Sequence, residues 1–322
     1  MHGKEKVKMI VMKYRILLFI VGTVFILSGL FWWYSRTEES VDYRISVSAT
    51  IYPLAFLAEQ IGGDLVSVKT VVPRGIEPHD FDPSLRDIAD MYRSKLILIN
   101  GAGIDTWAER LEVDFLKQGI LVSVFSRSVD LTAVTDDEAE HAVASGMSDP
   151  HFWLDPVMYK ESARAVLQEL IDIDPAHAAT YRMNFGRFER NIAILDDHLR
   201  ELSGPRCHLD TVIVSHNAFS YLARRYGFEI RSLAGINPEQ EVSIGELAGV
   251  IRLMQEKNIL YVLTEPIGNM DVATTIRKET GAEISTLDPL EGLLQSDANP
   301  SEDYFTVMNR NWITLRKALE CE

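Results

Sequence analysis

Three histidines stand in sequence contexts that suit ligand binding. His79 lies in the Pro/Gly-rich loop VVPRGIEPHDFDPS directly after a predicted strand, His151 lies in SDPHFWLDP, and His216 follows the predicted strand TVIVS. Ligands of α/β proteins bind at the carboxyl ends of the strands, which is where His79 and His216 are expected. A single histidine in such a place is more often a structural hydrogen-bonding residue, so the prediction of a site rests on the set.

Two carboxylates follow a later predicted strand in the segment STLDPLEGL, at Asp288 and Glu291. Three neutral imidazoles and one carboxylate form a closed tetrahedral ligand set that suits Zn²⁺. A manganese site would be expected to contain more oxygen ligands. The histidines and these carboxylates lie far apart in the sequence and match no short motif, so only the fold can bring them together.

Apolar, β-rich runs alternate with amphipathic helical stretches through most of the chain. Four runs occupy residues 45–52, 66–72, 95–100 and 119–125, and four more occupy residues 211–215, 228–233, 259–264 and 282–286. This βαβ pattern predicts an α/β fold with two lobes, each with a mainly parallel sheet flanked by helices.

One long amphipathic segment separates the two sets of strands. Its apolar residues recur in steps of three and four, at Tyr181, Phe185, Phe188, Ile192, Leu195, Leu199 and Leu202. We predict one long rigid helix over 174–204, begun by Asp174-Pro175, that bridges an N-terminal lobe (45–173) and a C-terminal lobe (205–322). About three heptads are too few for a coiled-coil dimer seam, and a monomer is expected.

The charge balance argues against one class of partner. The chain has 32 Lys and Arg residues against 47 Asp and Glu residues, a net charge of −15 at pH 7. Phosphate backbones repel so acidic a protein, so nucleic-acid binding is not expected. A divalent cation is a more natural ligand, although surface acids also simply keep a protein soluble.

The N-terminus carries an export or anchoring signal. Residues 16–34 contain no charged side chain, follow a basic stretch and end in Phe-Trp-Trp-Tyr, which is typical of a membrane segment with its basic side in the cytoplasm. We predict a cytoplasmic N-terminus (1–15) and a transmembrane anchor or signal segment (16–34), with an uncleaved anchor favoured. Met9 and Met12 are alternative starts. The body is then extracytoplasmic, in the periplasm or on the outer face of the cell membrane.

The chain has two cysteines, Cys207 and Cys321. In an oxidising compartment they can form a disulfide that fastens the C-terminal helix, but two free thiols are an equal alternative, because the sequence does not give their separation.

Five segments together resemble a known family. EPHDFDPS, DPHFWLDP, the long helix, SHNAFSYLARRYGF and DPLEGL occur in the order seen in the extracytoplasmic solute-binding proteins of zinc and manganese ABC transporters, the cluster A-I family. The resemblance covers about residues 45–320. It implies two α/β lobes bridged by a long helix, with one metal ion in the cleft between them.

The resemblance also implies a ligand set. The family's motifs place metal ligands at His79, His151 and His216, and the variable fourth ligand at Glu291, with Asp288 as second choice and Glu77 as a third candidate. Members that handle manganese tend to have a carboxylate where this chain has His216, which favours Zn²⁺ over Mn²⁺. This chain departs from several zinc-specific members between residues 130 and 149, where only His141 stands in place of a His-rich insert.

The function implied is capture of Zn²⁺ and its delivery to an ABC permease and, through it, to the cytoplasmic ATPase. Alternatives are a manganese-binding homologue, a metal-binding adhesin or buffer on the same fold, and a zinc hydrolase with an open metal position. The sequence contains no HExxH, G-x-S-x-G or phosphate-binding glycine loop, so an enzyme is not expected.

Overall fold

The structure is a computed structural model that describes residues 9, 12–14, 18–28, 44–131, 148–236, 238, 242–267, 270–292 and 302–322. The chain divides into two compact units, Met1–Tyr43 and Arg44–Glu322. In the first unit, residues 18–28 are helical. Among the residues described, no helix is both long and apolar enough to cross a bilayer. The rest of the predicted anchor, residues 16–17 and 29–34, lies outside the described residues, as does most of 1–15 and of the loop 130–149.

The N-terminal half of the second unit forms one parallel sheet. Its strands are β1 Ile45–Ala49, β2 Val66–Thr70, β3 Leu96–Ile99 and β4 Leu121–Val124, in the order β2-β1-β3-β4. Its helices are α1 Tyr52–Gly62, α2 Leu85–Met91, α3 Thr106–Glu109 and α4 Glu112–Lys117. Every strand pair is parallel, and all four residues of β3 are buried, as expected for a sheet covered on both faces.

The C-terminal half repeats this arrangement. Its strands are β5 Thr211–Val214, β6 Glu229–Ser232, β7 Tyr261–Thr264 and β8 Glu283–Thr286, in the order β6-β5-β7-β8, all parallel. Two long helices, α5 Pro156–Ile173 and α6 Ala178–Leu199, precede this half in the sequence. Its own helices are α7 Ser220–Tyr226, α8 Ile244–Lys257, α9 Asp271–Thr280 and, near the chain end, α10 Tyr304–Ala318. Both sheets run in the same topological order, which confirms the predicted two-lobe α/β fold.

Two helices, α5 Pro156–Ile173 and α6 Ala178–Leu199, lie between the two sheets in the sequence. Asp155 begins α5, since its carboxylate accepts hydrogen bonds from the backbone N–H groups of Val157 and Met158. The bridging helix α6 starts after a 3₁₀ turn, Pro175–His177, and ends in another, Arg200–Leu202. It buries the predicted apolar face at Tyr181, Phe188, Ile192, Leu195 and Leu199.

An aromatic cluster joins the bridging helices to α1 and α10. The rings of Tyr159 and Tyr304 stack with centroids 4.3 Å apart, and Phe188 meets Tyr159 edge to face at 5.8 Å. Both tyrosine hydroxyls donate to buried backbone carbonyls, Tyr159 to Pro53 and Tyr304 to Trp153. These bonds satisfy polar groups that would otherwise be costly to bury, so the cluster connects α1, α5, α6 and α10 without unpaired tyrosine hydroxyls.

The two cysteines form a disulfide, which decides between the two alternatives left open by the sequence. The backbone around it is paired as well: the N–H of Leu209 donates to the carbonyl of Leu319, and the N–H of Glu322 donates to the carbonyl of Arg206. The end of α10 is therefore fastened to the segment that leads into β5.

Candidate metal centre

The structure brings four of the predicted residues together. One ligand atom from each of His79, His151, His216 and Glu291 lies within 4.8 Å of the others. His79 belongs to the 3₁₀ turn Pro78–Asp80 after β2, His216 follows β5, and Glu291 follows β8. The side chain of Asn100, directly after β3, donates to the carbonyl of Pro150 and so holds the segment of His151 at the same edge. The cluster thus forms where carboxyl ends of strands from both lobes meet.

The distances between the ligand atoms are close to those around one tetrahedral ion. The Nε2 atoms of His79, His151 and His216 lie 3.7, 2.9 and 3.2 Å from Oε1 of Glu291. The Nε2 atoms of His79 and His151 are 3.2 Å apart. With metal–ligand bonds of 2.0–2.2 Å, ligand atoms of a tetrahedral zinc site are separated by about 3.3–3.6 Å. Shifts of a few tenths of an ångström would bring these interatomic distances into that range.

The cluster is almost completely shielded from solvent. The side chains of His151 and His216 are 0% exposed, and those of His79 and Glu291 are 4% exposed. Among the described residues, Nε2 of His216 is buried without a well-aligned hydrogen bond, although Glu291 is near. A buried polar atom without a partner is costly, and a metal ion would supply that partner.

Two further carboxylates accept hydrogen bonds from Nδ1 of His151 and Nδ1 of His216. The sequence analysis identified neither of them. Oδ1 of Asp149 accepts hydrogen bonds from the backbone N–H of His151 at 2.9 Å and from its Nδ1 at 2.7 Å. Oε1 of Glu265 accepts from Nδ1 of His216 at 2.5 Å. Such contacts orient metal-binding imidazoles so that Nε2 faces the ion. The available signals were the position of Asp149 in SDPH and that of Glu265 directly after the strand ILYVLT.

The charges of the cluster depend on the balance between burial and the contacts among its side chains. Burial alone would raise the pKa of Glu291, but its contacts with the three histidines, first of all the hydrogen bond with His151, bring that pKa well below its usual value, so Glu291 is ionised. Burial lowers the pKa of His79. Burial also opposes protonation of His216, but its contacts with Glu265 and Glu291 outweigh that effect and raise its pKa to about 10. The metal-free site therefore holds protons that a cation must displace.

Asp288, the second choice for the fourth ligand, lies outside the cluster. Its Oδ1 accepts a hydrogen bond from the backbone N–H of Leu290 at 2.8 Å. Its own backbone N–H and carbonyl bond to the side-chain amide of Asn311 in α10, at 2.9 and 2.7 Å. Leu290 adopts a positive φ of 59°, so this set of contacts holds an unusual turn that presents Glu291 to the histidines.

Glu77, the third candidate, lies beside the cluster. Its Oε1 accepts from the backbone N–H of His79 at 3.1 Å, and it begins the 3₁₀ turn that carries this histidine. Together with Glu265 and Glu291 it forms a group of carboxylates whose oxygens lie within 4.8 Å of one another. Burial, followed by the nearby charge of Glu291, raises the pKa of Glu77 to about 8.

Trp153 and Tyr221 form hydrogen bonds that connect the segments around the site. The ring of Trp153 meets that of His151 with centroids 5.2 Å apart, and its Nε1–H donates to the carbonyl of Pro289 at 2.8 Å. The hydroxyl of Tyr221 donates to the carbonyl of Asp149 at 3.0 Å. These bonds link the segment of His151 to the turn before Glu291 and to α7, and so connect segments from both lobes that carry ligands.

Comparison with known proteins places the chain in a family. The family model described as "Zinc-uptake complex component A periplasmic" matches residues 47–318. The high-affinity zinc uptake system protein ZnuA of Bacillus subtilis is 30% identical over 294 residues, which are 88% of this chain and 92% of that protein.

Two solved structures have a similar fold. The laminin-binding protein Lmb of Streptococcus agalactiae, described as bifunctional with adhesin and metal-transporting activity, superimposes with a TM-score of 0.74 at 29% identity, over 86% of this chain and 99% of that chain. Zn(II)-bound AdcA of Streptococcus pneumoniae gives a TM-score of 0.74 at 25% identity, over 87% of this chain and 58% of that chain. Since the family model covers most of the residues, the chain belongs to the family of periplasmic component A proteins of zinc-uptake complexes.

Proposed function

We propose that this protein captures Zn²⁺ between its two lobes and delivers it to an ABC transporter for import. The observation that carries the proposal is the buried, nearly tetrahedral convergence of His79, His151, His216 and Glu291. Three nitrogen donors and one carboxylate oxygen suit zinc better than manganese, which favours more oxygen ligands. The zinc-uptake name of the Bacillus subtilis relative and the Zn(II)-bound state of the Streptococcus pneumoniae structure support the same ion.

A carrier accounts for the arrangement better than a hydrolase does. A catalytic zinc keeps one position open for water and needs a nearby base. Here ionised Glu291 lies where it fills the fourth position, while Glu77 and Glu265 are engaged with the backbone of His79 and the ring of His216. We therefore assign this chain no enzymatic activity, and its zinc is cargo rather than a cofactor.

The proposed partner is the permease of the transporter, and through it the ATPase. Leu85 and Ile244 are 87% and 88% exposed, more than any other large apolar side chain described between Arg44 and Glu322. They occupy equivalent places in the two lobes, at the first residues of α2 and α8, after the edge strands β2 and β6. Both lie at the edge of the sheets where the metal cluster forms, so a monomer would present one apolar contact from each lobe to the membrane subunits.

The partner proposal is tested with aspartate at both positions. Leu85→Asp combined with Ile244→Asp should reduce zinc uptake by cells while the purified protein binds zinc as before. Ile194→Asp, at a 56% exposed position on α6, is the matched control. Equal uptake by the double variant and the control would contradict this docking face.

The location and the domain limits also belong to the proposal. We propose that the body is extracytoplasmic, tethered by residues 16–34, with lobes at 45–173 and 205–322 and a linking helix at 174–204. The description of the family as periplasmic supports the location. Cell fractionation with antibodies to the body tests it, because release of the whole chain into the soluble extracytoplasmic fraction would contradict a retained anchor.

Competitive metal titration of the purified chain tests the function itself. The wild type should hold one zinc ion tightly and prefer it to manganese, and His216→Ala should lose tight binding while its circular dichroism stays that of the wild type. Glu256→Ala, at an exposed position of α8, serves as a surface control. Tight zinc binding by His216→Ala, or no tight binding by the wild type, would refute the proposal.

A further inference from the structure

The cluster has more carboxylates within reach than a zinc site uses. Oxygens of Glu77, Glu265 and Glu291 lie within 4.8 Å of one another, yet it is Glu291 that the three histidine Nε2 atoms surround. Each additional oxygen ligand would make the site more suitable for manganese and less suitable for zinc. The position of Glu265 therefore affects which metal the site prefers.

Two hydrogen bonds hold the Glu265 carboxylate beside the site. Its Oε1 accepts from the hydroxyl of Ser215 and from Nδ1 of His216, both at 2.5 Å. The strands fix this arrangement, because Val214 at the end of β5 pairs with Leu263 of β7. In addition, the N–H of Ser215 donates to the carbonyl of Leu263 at 2.9 Å. The ends of two adjacent strands thus place the carboxylate next to the ring it contacts.

The contact determines which nitrogen of His216 faces the metal. A neutral imidazole has one N–H and one lone pair. When Nδ1–H donates to Glu265, the lone pair is on Nε2, which lies 3.2 Å from Oε1 of Glu291. The His216 side chain is fully buried and that of Glu265 is 5% exposed, so water does not compete with this bond.

Glu265 differs from the carboxylate that supports His151. Asp149 lies two residues before His151 and bonds both its backbone N–H and its ring, so that contact is made within one short segment. Glu265 reaches His216 from a different strand, and its oxygens belong to the carboxylate group that includes Glu291. A change at Glu265 can therefore alter both the direction of His216 and the number of oxygen ligands.

We propose that Glu265, held by Ser215, is a positioning residue that turns Nε2 of His216 towards the metal while its own carboxylate stays off the ion, so that the site remains four-coordinate and selects zinc over manganese. The inference rests on the proposed zinc-binding function. In this proposal Glu265 is not itself a ligand of the metal ion.

The test compares Glu265→Ala, Glu265→Gln, Ser215→Ala and the control Glu256→Ala in the full-length protein. Zinc and manganese dissociation constants are measured by competition, and the visible spectrum of bound Co²⁺ reports the coordination number. Glu265→Ala should weaken zinc binding 10- to 100-fold, as expected when a carboxylate behind a ligand histidine is lost. Glu265→Gln should recover part of that loss, because its amide oxygen still accepts from Nδ1–H.

Ser215→Ala tests the second half of the proposal. Freed from the serine hydroxyl, Glu265 should approach the metal, shift the zinc-to-manganese preference towards manganese by about tenfold or more, and weaken the tetrahedral Co²⁺ absorption. A role in folding alone would change the unfolding midpoint of the metal-free protein and leave the Co²⁺ spectrum unchanged.

The outcomes separate this inference from the function on which it rests. If the wild type binds zinc tightly and His216→Ala does not, but Glu265→Ala binds like Glu256→Ala, the function stands and the positioning role is refuted. A Ser215→Ala variant with wild-type metal preference and Co²⁺ spectrum refutes the restraint of Glu265. No tight zinc binding by the wild type would overturn both.

Discussion

Replacing Cys207 and Cys321 by serine is expected to lower the free energy of unfolding by about 5 kcal/mol. The disulfide spans a sequence separation of 114 residues, and a crosslink over so long a loop removes much of the conformational freedom of the unfolded chain. The closed loop contains His216, Glu265 and Glu291, so most of the C-terminal lobe is stabilised by it.

The same substitution should also affect the metal centre through α10. Asn311 of α10 binds both backbone groups of Asp288, and Tyr304 of α10 donates to the carbonyl of Trp153.

Zinc should restore most of the lost stability, because a ligand at 1,000 times its dissociation constant stabilises the folded state by about 4 kcal/mol. The serine variant is therefore expected to depend on zinc for stability far more than the wild type does.

Guanidinium unfolding followed by circular dichroism, with EDTA and with excess zinc, measures both effects. Wild-type protein treated with reductant is the matched control and should unfold like the double serine variant. If the variant and the oxidised wild type differ by less than about 1 kcal/mol in EDTA, close to the error of the extrapolation, the chain-entropy reasoning is wrong. If zinc stabilises neither protein, the metal centre itself is refuted.

Three other predictions concern single residues. Glu291→Ala should weaken zinc binding at least about 100-fold, since it removes the oxygen ligand, whereas Asp288→Ala should cost less than about 10-fold, because it removes only the support of the turn; competitive titration that ranks them in the opposite order would reverse the assignment. Since contacts with carboxylates raise the pKa of His216 to about 10, zinc must displace a proton near pH 7, and the apparent zinc affinity should rise with pH. Calorimetry in buffers of different ionisation enthalpy should detect proton release, and its absence would contradict this. Asp155→Ala should destabilise the fold by at least about 1–2 kcal/mol, as measured by thermal unfolding, because it removes both the cap of α5 and the ion pair with Arg225 of α7; a variant with wild-type stability would show that neither contact contributes.

The fold class was predictable because it depends on local patterns. Each strand is an apolar run, and the face of α6 that contains Tyr181, Phe188 and Ile192 repeats with helical periodicity. Periodicity did not predict that the bridging segment would begin in a 3₁₀ turn, or that α5 Pro156–Ile173 would be a second long helix between the sheets. Helix ends depend on caps such as Asp155, whose effect is decided by a few hydrogen bonds.

The carboxylates behind the histidines could not be predicted in the same way. Asp149 and Glu265 resemble ordinary loop acids in the sequence, and they act on His151 and His216 only through side-chain hydrogen bonds. Glu265 reaches His216 because β5 and β7 are neighbours in the sheet although β6 lies between them in the sequence. A crossover of this kind joins residues that no local pattern relates.

The sequence by itself predicted the α/β architecture and the edge of the sheets where His79 and His216 lie, because alternating apolar runs indicate parallel strands whose carboxyl ends lie together. The motifs that resemble the family, rather than this alternation, indicated the full ligand set. Only the tertiary structure shows that Glu291 lies among the histidines while Asp288 does not, since Asn311 from a distant helix bonds to the backbone of Asp288 and the resulting turn points Glu291 at the histidines. Only the tertiary structure paired Cys207 with Cys321. In both cases the deciding contacts join segments far apart in the chain, and their geometry exists only once the lobes have packed.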